Sequence, residues 1–416
     1  MNRKLLAVIG LTGAAAVVLA GCSATPAADS GPVTITYTNF ISQGANEGNL
    51  KTIVDAFERE NPDITVKVTT LPYAGYDTAQ QTDIAAGSES DVFDIDGASN
   101  YGPLQANGVL AELKGVDSSL YNKGLLDTYQ TDGKQYGLPT SFSDVVLYYN
   151  KDLFDAAGVS YPTDSWTWAD ETAAAKKITN AAAGIWGDHQ PVTWNEYYKV
   201  LVQNGESFLN AKGTKAAFNT PGGIEAAHWL VDKSGTTMPT IEQGQGTPDF
   251  DTNLFKDGKL AMLHTGIWVF GAFADGPANW DIAIEPGNKK QASAVFSNAV
   301  GISVHTKHLA AAQKWAEYLS SSDEEVDVRL ATGWELPTIS DTKKLDTYLT
   351  KGKPANRQAV FDAAKKIAPQ PSIGANQSQM QDIMTGELVE AQAGRETVEQ
   401  ALDNAEKKIN ALLASG

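Results

Sequence analysis

Between residues 33 and 95 the apolar period switches repeatedly between two and 3.6 residues, and this restricts the fold more than any other feature of the chain. Val33-Thr34-Ile35-Thr36-Tyr37 alternates apolar with polar, as a strand does. Leu50, Ile53, Val54 and Phe57 recur at helical spacing. Asn61-Pro62-Asp63 breaks that helix, and Ile64 to Val68 alternates again. Thr78 to Gly87 predicts a second helix, and Val92-Phe93-Asp94-Ile95 a third strand. Strand, helix, strand, helix, strand in this order predicts an α/β layer around a mostly parallel sheet. Further on, Ala299 to Val304 reads as a strand, followed by a helix through Trp315, Ala316 and Leu319. A last helix carries Val398, Ala401, Leu402, Ala405, Ile409, Leu412 and Leu413 on one face. The 416 residues suffice for two or three domains at about 150 residues each. No composition shift marks a linker between them, as when domains are joined by several short crossings.

The N-terminus reads as an address. Arg3 and Lys4 precede an apolar run from Leu5 to Ala20, too short for a membrane span of about 20 residues but suited to a signal peptide. It ends in Leu19-Ala20-Gly21-Cys22, which resembles a bacterial lipobox, and Cys22 is the only cysteine of the chain. The expectation is a signal peptide over 1–21, lipidation of Cys22, and a polar flexible tether over 22–32. The folded part then sits at the extracellular face of a cytoplasmic membrane, which suggests a Gram-positive cell surface.

Charge and residue spacing exclude several activities. The net charge of −18 makes nucleic acid an unfavourable partner, because phosphates need cations to displace their counterions. A lone cysteine leaves no disulfide scaffold and no cysteine-rich metal centre. The segment Asp94-Ile95-Asp96-Gly97 resembles a calcium loop, but with Gly97 at the sixth position the first and twelfth ligands would be Val92 and Pro103. His189, His228, His264, His305 and His308 lack zinc spacing, so no metal and no cofactor is expected. Neither a Gly-x-Ser-x-Gly elbow nor a phosphate loop ending in Gly-Lys-Ser/Thr is present.

Several segments in fixed order resemble the extracellular solute-binding proteins of family 1, carbohydrate-binding lipoproteins of ABC importers. They are Asn61-Pro62-Asp63-Ile64-Thr65-Val66, Asp91-Val92-Phe93-Asp94, and Gly133-Lys134-Gln135-Tyr136-Gly137-Leu138-Pro139 followed by Leu147-Tyr148-Tyr149-Asn150-Lys151-Asp152-Leu153-Phe154. Phe255-Lys256-Asp257-Gly258-Lys259-Leu260-Ala261-Met262 with Gly266-Ile267-Trp268, and then Ala311 to Leu319, complete the set. The resemblance implies a two-lobed, type II periplasmic-binding-protein fold with the ligand cleft between lobes. It suggests crossings near Ser143, Ala299 and Pro337, which puts 33–143 with 300–337 in the N-terminal lobe and 144–299 with 338–416 in the C-terminal lobe. It also implies a monomer that captures a carbohydrate, taken as a neutral oligosaccharide, and delivers it to a membrane permease driven by a separate ATPase.

A sugar has apolar C–H faces and a rim of hydroxyls, so its cleft needs aromatic rings beside planar polar side chains. Six segments offer that mix: Asn39 to Asn46, Asp94 to Tyr101, Ser141 to Asp144, Trp194 to Tyr198, Gly266 to Trp268, and Gly333 to Glu335. Trp268, Trp194 and Trp334 are the candidates for stacking, and Asp96, Asn39, Asp144, Ser143 and Tyr101 for polar contacts; each competes with a plain core or turn role. Asn376 is a further candidate. Trp166, Trp229, Trp280 and Trp315 are assigned to the core, and nothing selects Trp168 or Trp186 for the cleft. An extracellular glycoside hydrolase would share an aromatic cleft and paired carboxylates, and is the alternative.

Overall fold

The computed structural model describes residues 31–40, 46–73, 75–247, 249–273, 279–350, 352–368 and 370–415. The signal-peptide segment, Cys22 and most of the tether lie outside the described residues.

The first lobe is built on β1 (Val33–Asn39), β2 (Ile64–Thr70) and β3 (Val92–Ile95). β1 pairs parallel with both β2 and β3. The expected intervening helices are present as Glu47–Glu60 and Tyr76–Ala86. The first of these buries Leu50, Ile53, Val54 and Phe57 against the sheet. Trp315, on the helix Leu309–Ser321, sits at the centre of this core, edge-on to Tyr37 at 5.6 Å and to Phe57 at 5.1 Å. A small hairpin, β4 (Gln130–Thr131) and β5 (Lys134–Gln135), leads into β6 (Gly137–Asn150).

β6 joins the two lobes. Its first half pairs with β9 (Val295–Ile302), and its second half pairs with β7 (Met262–Gly266) and β8 (Trp280–Ala283). The sheet order β2-β1-β3-β9-β6-β7, with β8 also on β6, therefore runs through both lobes. The chain crosses along β6, returns along β9, and crosses a third time beside Leu336, whose amide donates to the Phe142 carbonyl. Ala299 already pairs with Ile95, so the second crossing lies at Ser293–Val295, several residues before the expected point.

The α/β, two-lobed architecture is as expected, but the strand directions need a correction. The parallel ladders described are those of β1 with β2 and β3. β6 leaves the first lobe and β9 returns to it, so these two run opposite to one another. β7 and β8 flank β6 on its two sides and both oppose it, which makes the named ladders of the second lobe antiparallel. The core of that lobe is large. It holds Trp194, Tyr197 and Tyr198 from the helix Trp194–Gln203 and the apolar face of Val398–Ser415.

Candidate functional site

A cavity of about 380 Å³ opens between the lobes where β3, β6, β7 and β9 end or cross. Such a junction at strand ends is where α/β folds place ligands. Tyr37, Asp94, Asp96, Trp334 and Glu335 reach it from the first lobe; Asn195, Asp251 and Trp268 reach it from the second. Ser141, Ser143, Phe296 and Asn298 line it from the crossing strands.

Trp268 lies in the short turn Ile267–Val269 that follows β7. Its ring packs across Gly266: a Cβ built there would fall 1.9 Å from ring carbon Cζ3. Phe296 meets the same indole edge-on at 5.9 Å. Glycine is therefore required at 266 for the ring to lie where it does. Gly266→Ala is expected to displace Trp268 and weaken the binding of a solute in this cavity by about tenfold or more, measured by titration; unchanged affinity would separate the ring's position from binding.

Trp334 is mostly buried in the first-lobe core but also reaches the cavity wall. The Arg329 guanidinium sits 4.3 Å from its ring centroid, and Nη1 donates to the Trp334 carbonyl at 2.9 Å. Arg329 is also paired with Glu325 and lies 3.5 Å from Glu335. Burial pushes Glu325 up to about 7 despite that partner. Glu335 adopts φ 56°, an uncommon left-handed conformation for a side-chain-bearing residue at a cavity wall.

Asp94 ends β3. Its Oδ1 accepts from the Tyr37 hydroxyl at 2.6 Å, while its carbonyl accepts from Tyr76 and Gln80 at 2.8 and 3.0 Å. Desolvation pushes the Asp94 carboxyl up to about 7, against the Tyr37 hydrogen bond. Asp96 is likewise pushed up to about 7, by enclosure and then by the neighbouring Asp77 charge, with the Tyr73 hydrogen bond opposing. A carboxyl with a raised folded pKa keeps its proton in the folded state after the unfolded chain has lost it. These two groups therefore favour folding at low pH, and their contribution falls away as pH rises from about 4 to about 7. In Asp94→Asn the Tyr37 hydroxyl keeps an acceptor, and the decline of the unfolding midpoint over this range should flatten. An identical slope in both proteins would contradict the Asp94 assignment.

Of the expected contacts, the structure brings Trp268, Trp334, Asp96 and Ser143 to one cavity. Ser143 Oγ is buried there with no hydrogen-bond partner among the described residues, so it is available to a ligand hydroxyl. The other four are placed elsewhere. Strand alternation turns Asp144 to the opposite side of β6 from Ser143, where burial and then Glu285 raise its pKa well above normal. Trp194 is packed edge-on to Phe208 at 4.5 Å, and the next residue, Asn195, lines the cavity instead. Asn39 is fully buried with Nδ2 3.4 Å from the Thr69 carbonyl, and its neighbour Phe40 reaches the wall. Tyr101 packs on Tyr129 and shares a hydrogen bond with Thr131 at 2.9 Å. Asn376 donates to the Leu412 carbonyl. Residues 41–45 of the first candidate segment lie outside the described residues. Phe296 and Asn298 were missed because the strand register that aims them inward is set by β6. Asp249 and Asp251, also on the wall, stand in a segment with no sequence signal.

A second group of polar residues lies inside the C-terminal lobe. Glu171, Asp188 and His264 bring ligand atoms within 4.8 Å of one another, a metal-like grouping that histidine spacing did not disclose. Lys233 already supplies a cation there, 2.7 Å from Glu171 and 2.6 Å from Asp188. His264 also contacts Glu285 at 2.7 Å, and Glu285 in turn pairs with Lys199 at 2.5 Å. Burial opposes protonation of His264, but the charges of Glu171 and Asp188 overcome it and raise its pKa well above normal. The chemistry present is that of a charge-compensated structural network rather than a vacant ligand set.

A two-lobed α/β frame with three crossings and an aromatic, carboxylate-rich cavity between the lobes defines a solute-binding protein. A sequence profile of the bacterial extracellular solute-binding proteins matches residues 43–326, and the chain belongs to that family. An ABC substrate-binding protein of Listeria monocytogenes, solved in complex with cycloalternan, is 39% identical; the superposition covers 92% of this chain and 99% of that one with a TM-score of 0.87. The galactooligosaccharide-binding protein of Bacillus subtilis is 27% identical over 86% of this chain and 84% of its own length. The maltodextrin-binding protein of the same organism is 24% identical over 94% of this chain and 93% of its own. The family is one of extracellular solute-binding proteins, and the two Bacillus relatives are named for the sugars they bind.

Proposed function

We propose that the protein captures an oligosaccharide in the inter-lobe cavity and hands it to the membrane permease of an ABC importer. The observation that carries this reading is the convergence of Trp268 and Trp334 with Asp96, Ser143 and Asn195 on one cavity between hinged lobes. The rings suit sugar faces, and the carboxyl, hydroxyl and amide groups suit sugar hydroxyls. The named ligands of the relatives support a neutral α-glucan or galactan fragment, cyclic or linear.

Sugar first meets one lobe, and contacts from the other then favour the closed form through their differential affinity. Each aromatic contact contributes about 0.5–1.5 kcal/mol beyond area burial, and hydrogen bonds to carboxylates about 1.5–3 kcal/mol each. A few of each, less the cost of immobilising ligand and lobes, gives roughly micromolar binding. The lobes in this reading comprise 33–143 with 296–337 and 144–292 with 338–416, joined at the second crossing by Ser293–Val295. The lipid on Cys22 holds a monomer at the outer membrane face, and a separate ATPase supplies the energy of transport.

Tryptophan fluorescence titrated with maltotriose, cycloalternan, galactooligosaccharides and monosaccharides, with amino acids as controls, tests the reading. A saturable change with one oligosaccharide group and recovery of the sugar uncleaved is the expected result. Cleaved sugar would instead favour a glycoside hydrolase, and a flat response would remove sugar capture.

A further inference from the structure

Among the described residues three side-chain-bearing positions adopt the left-handed backbone: Asp132, Asp249 and Glu335. Asp132 has a local reason, since it forms the two-residue turn of the β4–β5 hairpin with Gly133. Aspartate also tolerates this region better than most residues, because its short side chain can bond the nearby backbone. Glutamate has no such advantage, and the Glu335 side chain instead lines the inter-lobe cavity. Glycine would take φ 56° freely, so a glutamate kept there directs attention to what its carboxylate does.

The conformation is held from both ends. Gly333 ends the helix Asp323–Thr332, and its carbonyl accepts from the Glu335 amide at 3.1 Å. Leu336 exchanges hydrogen bonds with Phe142 of β6 at 2.9 and 3.0 Å. Arg329, only 3% exposed, braces the turn between them. Its Nη1 donates to the Trp334 carbonyl at 2.9 Å and stands 3.5 Å from Glu335 Oε2, while Nε pairs with Glu325. Of the first-lobe carboxyls on the cavity wall, Glu335 is the one within ion-pair reach of a basic side chain among the described residues.

We propose that Glu335 contacts the bound sugar, that its left-handed backbone is retained for that contact, and that Arg329 is the positioning residue that fixes the carboxylate. This rests on the oligosaccharide reading above and adds a residue to its site. A carboxylate fixed in this way accepts from sugar hydroxyls with little rotamer freedom left to lose, and hydrogen bonds to an ionised acceptor are stronger than neutral ones. Because Leu336 is bonded to β6, the contact is also tied to the strand that joins the lobes.

The test is a calorimetric titration of the purified protein with maltotriose, cycloalternan and a galactooligosaccharide, each variant being compared on the sugar that the parent binds. Glu335→Gln and Glu335→Gly should each weaken binding by about tenfold or more. Arg329→Lys should weaken it about fivefold in the parent, but less than about twofold in a chain that already carries Glu335→Gly. Thermal unfolding reads the backbone: Glu335→Gly should melt about 1 °C or more above Glu335→Ala, although both lose the contact. Glu335 variants that bind within about twofold of a binding parent would overturn the contact while leaving sugar capture standing. Additive losses for Arg329→Lys and Glu335→Gly would overturn the positioning role, and an alanine variant at least as stable as the glycine variant would overturn the retained strain. Absence of binding by the parent to every sugar would overturn both the proposal and the reading beneath it.

Discussion

Replacing Trp268 by alanine should lower affinity for the bound oligosaccharide by at least about tenfold, while the protein still unfolds cooperatively. The indole offers its surface to the cavity from a turn held by Gly266 and braced by Phe296 at 5.9 Å. Its loss removes a stacking contribution of about 0.5–1.5 kcal/mol together with the apolar area the sugar would cover, at about 25 cal/mol per Å². Centrally placed aromatics commonly dominate such sites. The ring also packs on two apolar clusters of the second lobe, so some stability is lost with it. Trp268→Phe separates the two effects. It restores packing with a smaller ring and should recover part of the affinity. Equal affinity of the alanine variant and the parent would remove Trp268 from the binding surface.

A larger effect on stability is expected at Lys199. This ammonium is fully buried, 2.6 Å from Glu196 and 2.5 Å from the equally buried Glu285. Burial disfavours its charge, yet the two carboxylates more than offset this and raise its pKa. Lys199→Met leaves both carboxylates without that cation inside the lobe. Breaking a buried pair in this way costs about 3–5 kcal/mol, readable by denaturant unfolding. Adding Glu285→Gln to the same chain should return part of the loss, because one of the two carboxylates that lost the cation is then neutral. A single variant within about 0.5 kcal/mol of the parent would mean that water or rearrangement satisfies the carboxylates.

The first lobe was legible in sequence because its period alternates cleanly. Val33 to Tyr37, Leu50 to Phe57 and Val92 to Ile95 each carry their own signature, and each element forms where the pattern puts it. The antiparallel second lobe was not legible. Its strands are buried on both faces, as at Met262 and Leu263, and an apolar run does not disclose direction. Direction comes from β6 passing through both lobes, a long-range fact absent from local pattern.

The site was legible to the same degree. Trp268 and Trp334 were named because Gly266-Ile267-Trp268 is one of the family-like segments and Gly333-Trp334-Glu335 precedes the third expected crossing, and both side chains line the cavity. Ser143 and Asp144 were both named, but only tertiary pairing with β9 settles which of the two faces the cavity. Trp194 and Asn195 differ by a single position on a helix start, and the packing of Phe208 takes the tryptophan. The buried grouping of Glu171, Asp188, Lys233 and His264 draws on residues far apart in the chain, which no spacing rule connects.

The central claim is capture of one oligosaccharide by both lobes at once. Amide hydrogen exchange with and without a saturating oligosaccharide addresses it directly. The account predicts slowed exchange in Asp94–Gly97 and Gly333–Glu335 of the first lobe together with Thr265–Val269 of the second. Protection confined to one lobe, or found away from these segments, would contradict capture in the inter-lobe cavity.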